Sequence, residues 1–224
     1  MTAMQLPLDL GHQPALRRDA FWVSPSNEAA IGWIDFWPAW PAPAVILEGP
    51  PGSGKTHLAG VWRLRSDAGE IAGADLDIVA AGRLPEAHRA LVVEEAEAAP
   101  ERALLHLYNA MAERHGHLLL TASRPPQQWQ VQLADLRSRL LALPVASIRP
   151  PDDALLRAVL SKLFADRQLA VPEEVVDFLL PRMERSFEAA GRLAGLIDAA
   201  SLAARRPVTL PLARRVLALF EPEA

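Results

Sequence analysis

Gly49-Pro50-Pro51-Gly52-Ser53-Gly54-Lys55-Thr56 carries the densest chemistry in this chain. Its spacing is G-x-x-x-x-G-K-[ST], the signature of a phosphate-binding loop. Glycines let successive backbone N–H groups turn inward around phosphate oxygens. A helix starting at the loop's end adds the partial positive charge of its N-terminus. Lys55 would reach the outer phosphates, the Thr56 hydroxyl would ligate Mg²⁺, and His57 completes the candidate binding set. Lys55 and Lys162 are the only lysines in a chain that otherwise uses arginine. The expected cofactors are ADP or ATP with Mg²⁺.

Such a loop needs a carboxylate at the end of a neighbouring strand. Leu91-Val92-Val93-Glu94-Glu95 fits, with Glu94 near Mg²⁺ and Glu95 orienting an attacking water. Aspartate is the more frequent residue at the first position, and a longer glutamate would shift the metal. His115-Gly116-His117 has no cysteine or carboxylate cluster with it and reads as a helix-end turn entering a strand. Trp22, Trp33, Trp37, Trp40 and Trp62 cluster early and read as core packing over an N-terminal helix. The arginine pairs are scattered and read as solvated faces.

The elements that would position these groups alternate. A helix is expected from Ser24-Pro25 to about Trp37, then strand Ala44–Leu47, the loop, and a helix to about Arg65. Weak strands are expected near Glu70–Ala72 and Asp77–Val79. A strong strand follows at Ala90–Val93, a helix from Pro100 to about His115, strand His117–Ala122, helix Leu133–Leu141 and strand Leu143–Ile148. Strands alternating with helices predict an α/β fold, a parallel sheet with helices on both faces. After Pro150-Pro151 the pattern is purely helical: Asp152 to about Arg167, Pro172 to about Leu180, Phe187 to Ala204, and Pro211 to Phe220. The expected division is a tail at 1–20, an α/β nucleotide-binding domain at 21–150 and a small all-helical lid at 151–224.

The chain has 224 residues, half of them hydrophobic (50%), with a formal net charge of −4. That is enough apolar material for a core, and it lacks the basic surplus of a DNA-backbone binder. With no cysteines, disulfides and thiolate metal sites are excluded. No apolar run has the length of a membrane span and no secretory signal order is present, so a cytoplasmic protein is expected.

Three further segments, Leu107-Tyr-Asn109, Leu118-Leu-Leu-Thr-Ala-Ser-Arg-Pro-Pro126 and Asp135-Leu-Arg-Ser-Arg-Leu140, together with the loop and lid, resemble the bacterial DnaA/Hda family of AAA+ proteins. The opening Gln5-Leu-Pro-Leu-Asp-Leu10 is similar to the sliding-clamp-binding motif of the family's Hda branch. The resemblance runs from Gln5 to about Phe220, and no basic helix-turn-helix segment follows before Ala224, which also points to that branch. It implies a clamp-tethered regulator that represses replication initiation by stimulating ATP hydrolysis on DnaA. Its partners would be the sliding clamp and DnaA, with a homo-oligomer possible and DNA contact weak or indirect.

The same resemblance assigns roles. Gln5, Leu6, Leu8 and Leu10 would bind the clamp. Ser123 falls at the sensor position near the outer phosphate, where relatives often carry Asp or Asn. Arg139 matches the arginine finger that acts in trans on a neighbour's nucleotide. Glu188 stands where a lid arginine usually touches the nucleotide, with Arg185 or Arg192 as candidate substitutes. Glu94, Ser123 and Glu188 together imply weak or no intrinsic ATPase, with ADP as the resting nucleotide. The competing reading is an autonomous AAA+ ATPase of helicase-loader type; a DNA-binding initiator fragment is disfavoured by the acidic balance.

Overall fold

In a computed structural model, which describes residues 23–204 and 206–220, successive strand residues feed two different cores. Side chains alternate across a strand. Ala44, Ile46, Leu91, Val93, Leu118, Leu120 and Ala122 therefore pack on one face, and Val45, Leu47, Ala90, Val92, Leu119 and Ala146 on the other. A sheet covered on both faces needs near-continuous apolar strands, and these strands have them.

In chain order the elements are α1 (Glu28–Phe36), β1 (Ala44–Glu48), α2 (Lys55–Ser66), β2 (Gly69–Ala72), α3 (Ile78–Ala87), β3 (Ala90–Glu94), α4 (Glu101–Glu113), β4 (His117–Ala122), α5 (Ala134–Ala142) and β5 (Val145–Ser147). The helices α6 (Asp153–Asp166), α7 (Glu173–Leu179), α8 (Phe187–Ala204) and α9 (Leu210–Phe220) follow. The five strands are parallel in the order β2-β3-β4-β1-β5. Helices α3, α4 and α5 cover the first face through Ala81, Leu104, Leu107, Met111, Leu136 and Leu140. Helices α1 and α2 cover the second through Ile31, Ile34, Leu58 and Trp62. The last four helices form a core of their own, drawn from Leu156 to Leu217, with Phe164, Leu179, Leu193 and Ile197 at its centre.

This order sets the site. The chain leaves β1 toward β2 on one side of the sheet and leaves β4 toward β5 on the other. A crevice opens between the carboxyl ends of β1 and β4, the usual ligand position in open parallel sheets.

Three local expectations change. The helix expected to start at Ser24-Pro25 begins at Glu28, because Ser24 to Asn27 close a turn first. Ser24 O accepts from Asn27 N–H and Glu28 N–H, and Asn27 Oδ1 accepts from Ser24 N–H at 2.9 Å. The strand expected at Asp77–Val79 is the start of α3. Asp77 caps that helix by accepting from Ala80 N–H at 2.6 Å, and the β-branched Ile78 and Val79 that suggested a strand are 54% and 57% exposed. The strand expected at Leu143–Ile148 is shorter, Val145–Ser147.

Trp33, Trp37, Trp40 and Trp62 serve packing, and Trp22 lies outside the described residues. Trp40 stacks on Trp62 at 5.2 Å between centroids and donates from Nε1 to Trp33 O at 2.7 Å. His117 packs edge-on against Trp37 and Trp40, and its burial lowers its pKa. His115 ends α4 with a left-handed φ of 54°, so the His-Gly-His segment is the expected turn. Among the described residues, no cluster of three or more His, Cys, Asp or Glu side chains is placed to hold a metal, and no helix is long and apolar enough to cross a membrane.

Candidate functional site

The loop between β1 and α2 turns on two glycines that an L side chain would strain. Gly52 has φ 70° and Gly54, the residue before α2, has φ 96°. Gly49 donates to Ala122 O at 3.1 Å across the β1–β4 crevice, and a Cβ there would lie 2.6 Å from Ile148 O. Glycine at 49 is thus a matter of close approach, and at 52 and 54 of backbone hand. Pro50 O accepts from Ser53 N–H at 3.2 Å and closes the turn, with Pro51 exposed at its tip.

Lys55 Nζ donates to Gly49 O at 2.6 Å and Pro50 O at 2.9 Å, across the mouth of the loop. Burial lowers its pKa, opposed by the negative charge of Glu97, then Glu94, Glu48 and Glu95. Ser53 Oγ is buried without a hydrogen-bond partner. Thr56 lies exposed in the first turn of α2. His57 is pushed down by burial first and by the Lys162 charge second. This donor set suits phosphates: inward glycines, a helix N-terminus, a cation and an unpaired hydroxyl. Mg²⁺ commonly takes one or two carboxylates plus phosphate oxygens, and Thr56 with Glu94 would supply the protein's share.

Glu94 ends β3. Its Oε2 accepts from Thr121 Oγ1 at 2.5 Å. Thr121, on β4, is fully buried, and the same hydroxyl accepts from Glu95 N–H at 3.0 Å. Burial raises the Glu94 pKa, and the Thr121 bond works against that rise. Glu95 is exposed, with a left-handed φ of 52°. Ser123, one residue past β4, donates from its N–H and Oγ to Glu97 Oε1 at 2.6 and 2.5 Å.

The structure therefore gathers Gly49–His57, Glu94, Glu95 and Ser123 at the carboxyl ends of the central strands β1, β3 and β4. Thr121 and Glu97 join them and were not singled out from sequence. Thr121 had a signal, a lone polar residue in the apolar run Leu118–Ala122. Glu97 had none that separates it from an ordinary charged turn.

Arg139 sits elsewhere, on α5. Its Nε donates to Asp135 Oδ1 at 3.0 Å, and its guanidinium lies over the Tyr108 ring of α4 at 5.4 Å. Arg137 is exposed. The lid meets the loop through the start of α8. Phe187 N–H donates to Gly52 O at 3.0 Å, and a Cβ on Gly52 would lie 2.7 Å from Ser186 Cβ. The Phe187 ring covers Gly54. Glu188 lies beside Gly52, but its carboxylate turns along the helix, with Oε1 3.9 Å from Arg192 Nη1. Arg185 pairs with Asp153 at 2.9 Å. Of the candidate lid arginines, Arg192 thus faces Glu188 and Arg185 faces α6. Gln5, Leu6, Leu8 and Leu10 lie outside the described residues.

Residues 153–217 match the family model described as the Hda lid domain. Among solved structures, domain III of the Thermotoga maritima replication initiation protein DnaA superposes with a TM-score of 0.79 at 18% identity, covering 98% of this chain and 100% of that one. The Thermotoga maritima RuvB Holliday junction branch migration motor gives 0.76 at 15% identity, over 92% and 72%. AMPPCP-bound DnaA from Aquifex aeolicus gives 0.70 at 16%, over 87% and 68%. Loop, strand order and helical lid together make a fold that this chain shares with these solved structures. The lid carries the finer likeness: residues 153–217, and only those, are similar to the Hda lid domain.

Proposed function

We propose that this chain is a nucleotide-binding regulator of replication initiation that stimulates ATP hydrolysis on DnaA and so represses initiation. Residues 1–20 act as the tether to the sliding clamp, 21–150 as the nucleotide module and 151–224 as the lid. The chain's own nucleotide, ADP or ATP with Mg²⁺, is held by Gly49–His57, with Lys55 on the outer phosphates and Thr56 and Glu94 toward the metal. A bound nucleotide would supply the phosphate charge that these donors and the Lys55 cation suit. The chain's residues supply the backbone donors, and Phe187 and Ser186 close the lid side.

The observation that carries the regulatory reading is the placement of Arg139. Its guanidinium is steadied by Asp135 on its own helix and by the Tyr108 ring of α4. An arginine pre-set on a rigid helix can stabilise charge on a neighbour's phosphates at small entropic cost. Weak turnover by the chain itself is supported by Glu94 and Ser123. The first is bonded to Thr121 and the second spends its hydroxyl on Glu97.

The test is ATP hydrolysis by DnaA with this chain and DNA-loaded clamp, beside the chain's own steady-state turnover. Stimulation of DnaA with negligible intrinsic turnover is expected. Turnover of the chain alone at about 1 per second or more, without effect on DnaA, would replace this reading with the autonomous ATPase.

A further inference from the structure

Glu97 lies in the 3₁₀ turn Ala96–Ala98, which follows the left-handed Glu95 and brings the carboxylate to the end of β4. There Glu97 Oε1 accepts both the N–H and the hydroxyl proton of Ser123, at 2.6 and 2.5 Å. A hydroxyl that donates to a carboxylate has no second proton for a phosphate oxygen. The other oxygen, Oε2, is buried without a hydrogen-bond partner. Of the four carboxylates that act on Lys55, Glu97 acts most strongly.

A triphosphate gains over a diphosphate only through donors and cations placed around its third phosphate. In this loop Lys55 and Ser123 are candidates for that work, and Glu97 opposes both. It neutralises part of the lysine's field and withholds the serine's proton.

We propose that Glu97 is a specificity-determining residue of this loop, placing negative charge where a third phosphate would need donors and biasing the site toward nucleoside diphosphates. The inference rests on the nucleotide-binding reading of the loop and adds the residue that chooses between ligands.

Calorimetric titration of the full chain with ADP and with AMPPCP, in Mg²⁺ and in EDTA, tests it. The wild type is expected to bind ADP at least about tenfold more tightly than AMPPCP. Glu97→Gln, nearly isosteric, narrows that ratio by about tenfold, equivalent to ~1.4 kcal/mol, chiefly through tighter triphosphate binding. Glu97→Ala narrows it at least as much and serves as the second variant if the glutamine chain melts early. Glu97→Asp, which keeps the charge, retains the preference. An unchanged ratio in Glu97→Gln and Glu97→Ala at wild-type melting temperature overturns the proposal. So does weaker AMPPCP binding confined to Mg²⁺, which would make Glu97 a metal-side ligand. A wild-type chain that binds neither nucleotide would instead remove the reading of the loop itself.

Discussion

Replacing Thr121 by valine removes one hydroxyl and almost no volume, so it isolates the bridge that orders Glu94 and Glu95. The side chain is fully buried, and its oxygen donates to Glu94 at 2.5 Å and accepts from Glu95 N–H at 3.0 Å. A hydrogen bond to a charged group is worth about 1.5–3 kcal/mol, and a backbone donor left unpaired costs about 1–3 kcal/mol more. Glu95 is exposed, so water recovers part of the second loss. The net destabilisation is about 2–4 kcal/mol, or roughly 4–15 °C in melting temperature for a chain of this size.

The loss should depend on pH, and its sign follows from Glu94. Burial raises its pKa above the ordinary carboxylate value, while the Thr121 bond holds it lower than burial alone would. A group whose folded pKa is raised makes folding less favourable as pH rises from the unfolded value through the folded one. Without Thr121 the folded pKa rises further and that window extends upward. The variant's deficit is therefore largest near pH 8 and smaller near pH 5, where both folded proteins carry more protonated Glu94. Urea unfolding followed by circular dichroism at both pH values measures it. A deficit below about 0.5 kcal/mol near pH 8, or one of equal size at both, would refute the bridge as an electrostatic support and leave it a packing contact.

Lys55→Ala should abolish tight nucleotide binding in a fluorescent-nucleotide titration, since it removes the cation that spans Gly49 O and Pro50 O. Arg139→Ala should keep the fold and the chain's own nucleotide affinity, yet remove stimulation of DnaA's ATP hydrolysis. Such fingers are worth roughly 10³–10⁵ in rate; stimulation equal to wild type would make Arg139 an ordinary helix residue. Replacing Leu8 and Leu10 by alanine should weaken clamp binding by one to three orders of magnitude, since each buried leucine is worth roughly 1.5–3 kcal/mol. Unchanged clamp affinity with a lowered melting temperature would assign the tail to the core instead.

What could be read from the sequence was local in its physics. The loop declares itself because its geometry is made within eight neighbouring residues, and the strands because both faces of the sheet are covered and each strand is apolar throughout. Failures came where a short-range polar contact overrode an apolar pattern. Asp77 caps a helix through Ala80 and turns Ile78 and Val79 from an apparent strand into an exposed first turn. Asn27 closes a turn on Ser24 and delays α1 by a few residues.

The site's second layer was illegible for the opposite reason. Thr121 meets Glu94 across 27 residues and Ser123 meets Glu97 across 26, by way of a strand pairing that no window of sequence contains. Only after β3 and β4 pair does a threonine become the support of one carboxylate, and a turn glutamate become the partner of Ser123. This moves the chemical question from the motif to its surroundings. The loop's glycines would serve any nucleotide equally. Discrimination between one phosphate more or fewer must come from groups that the fold brings to the loop, and in this chain those groups are predominantly carboxylates.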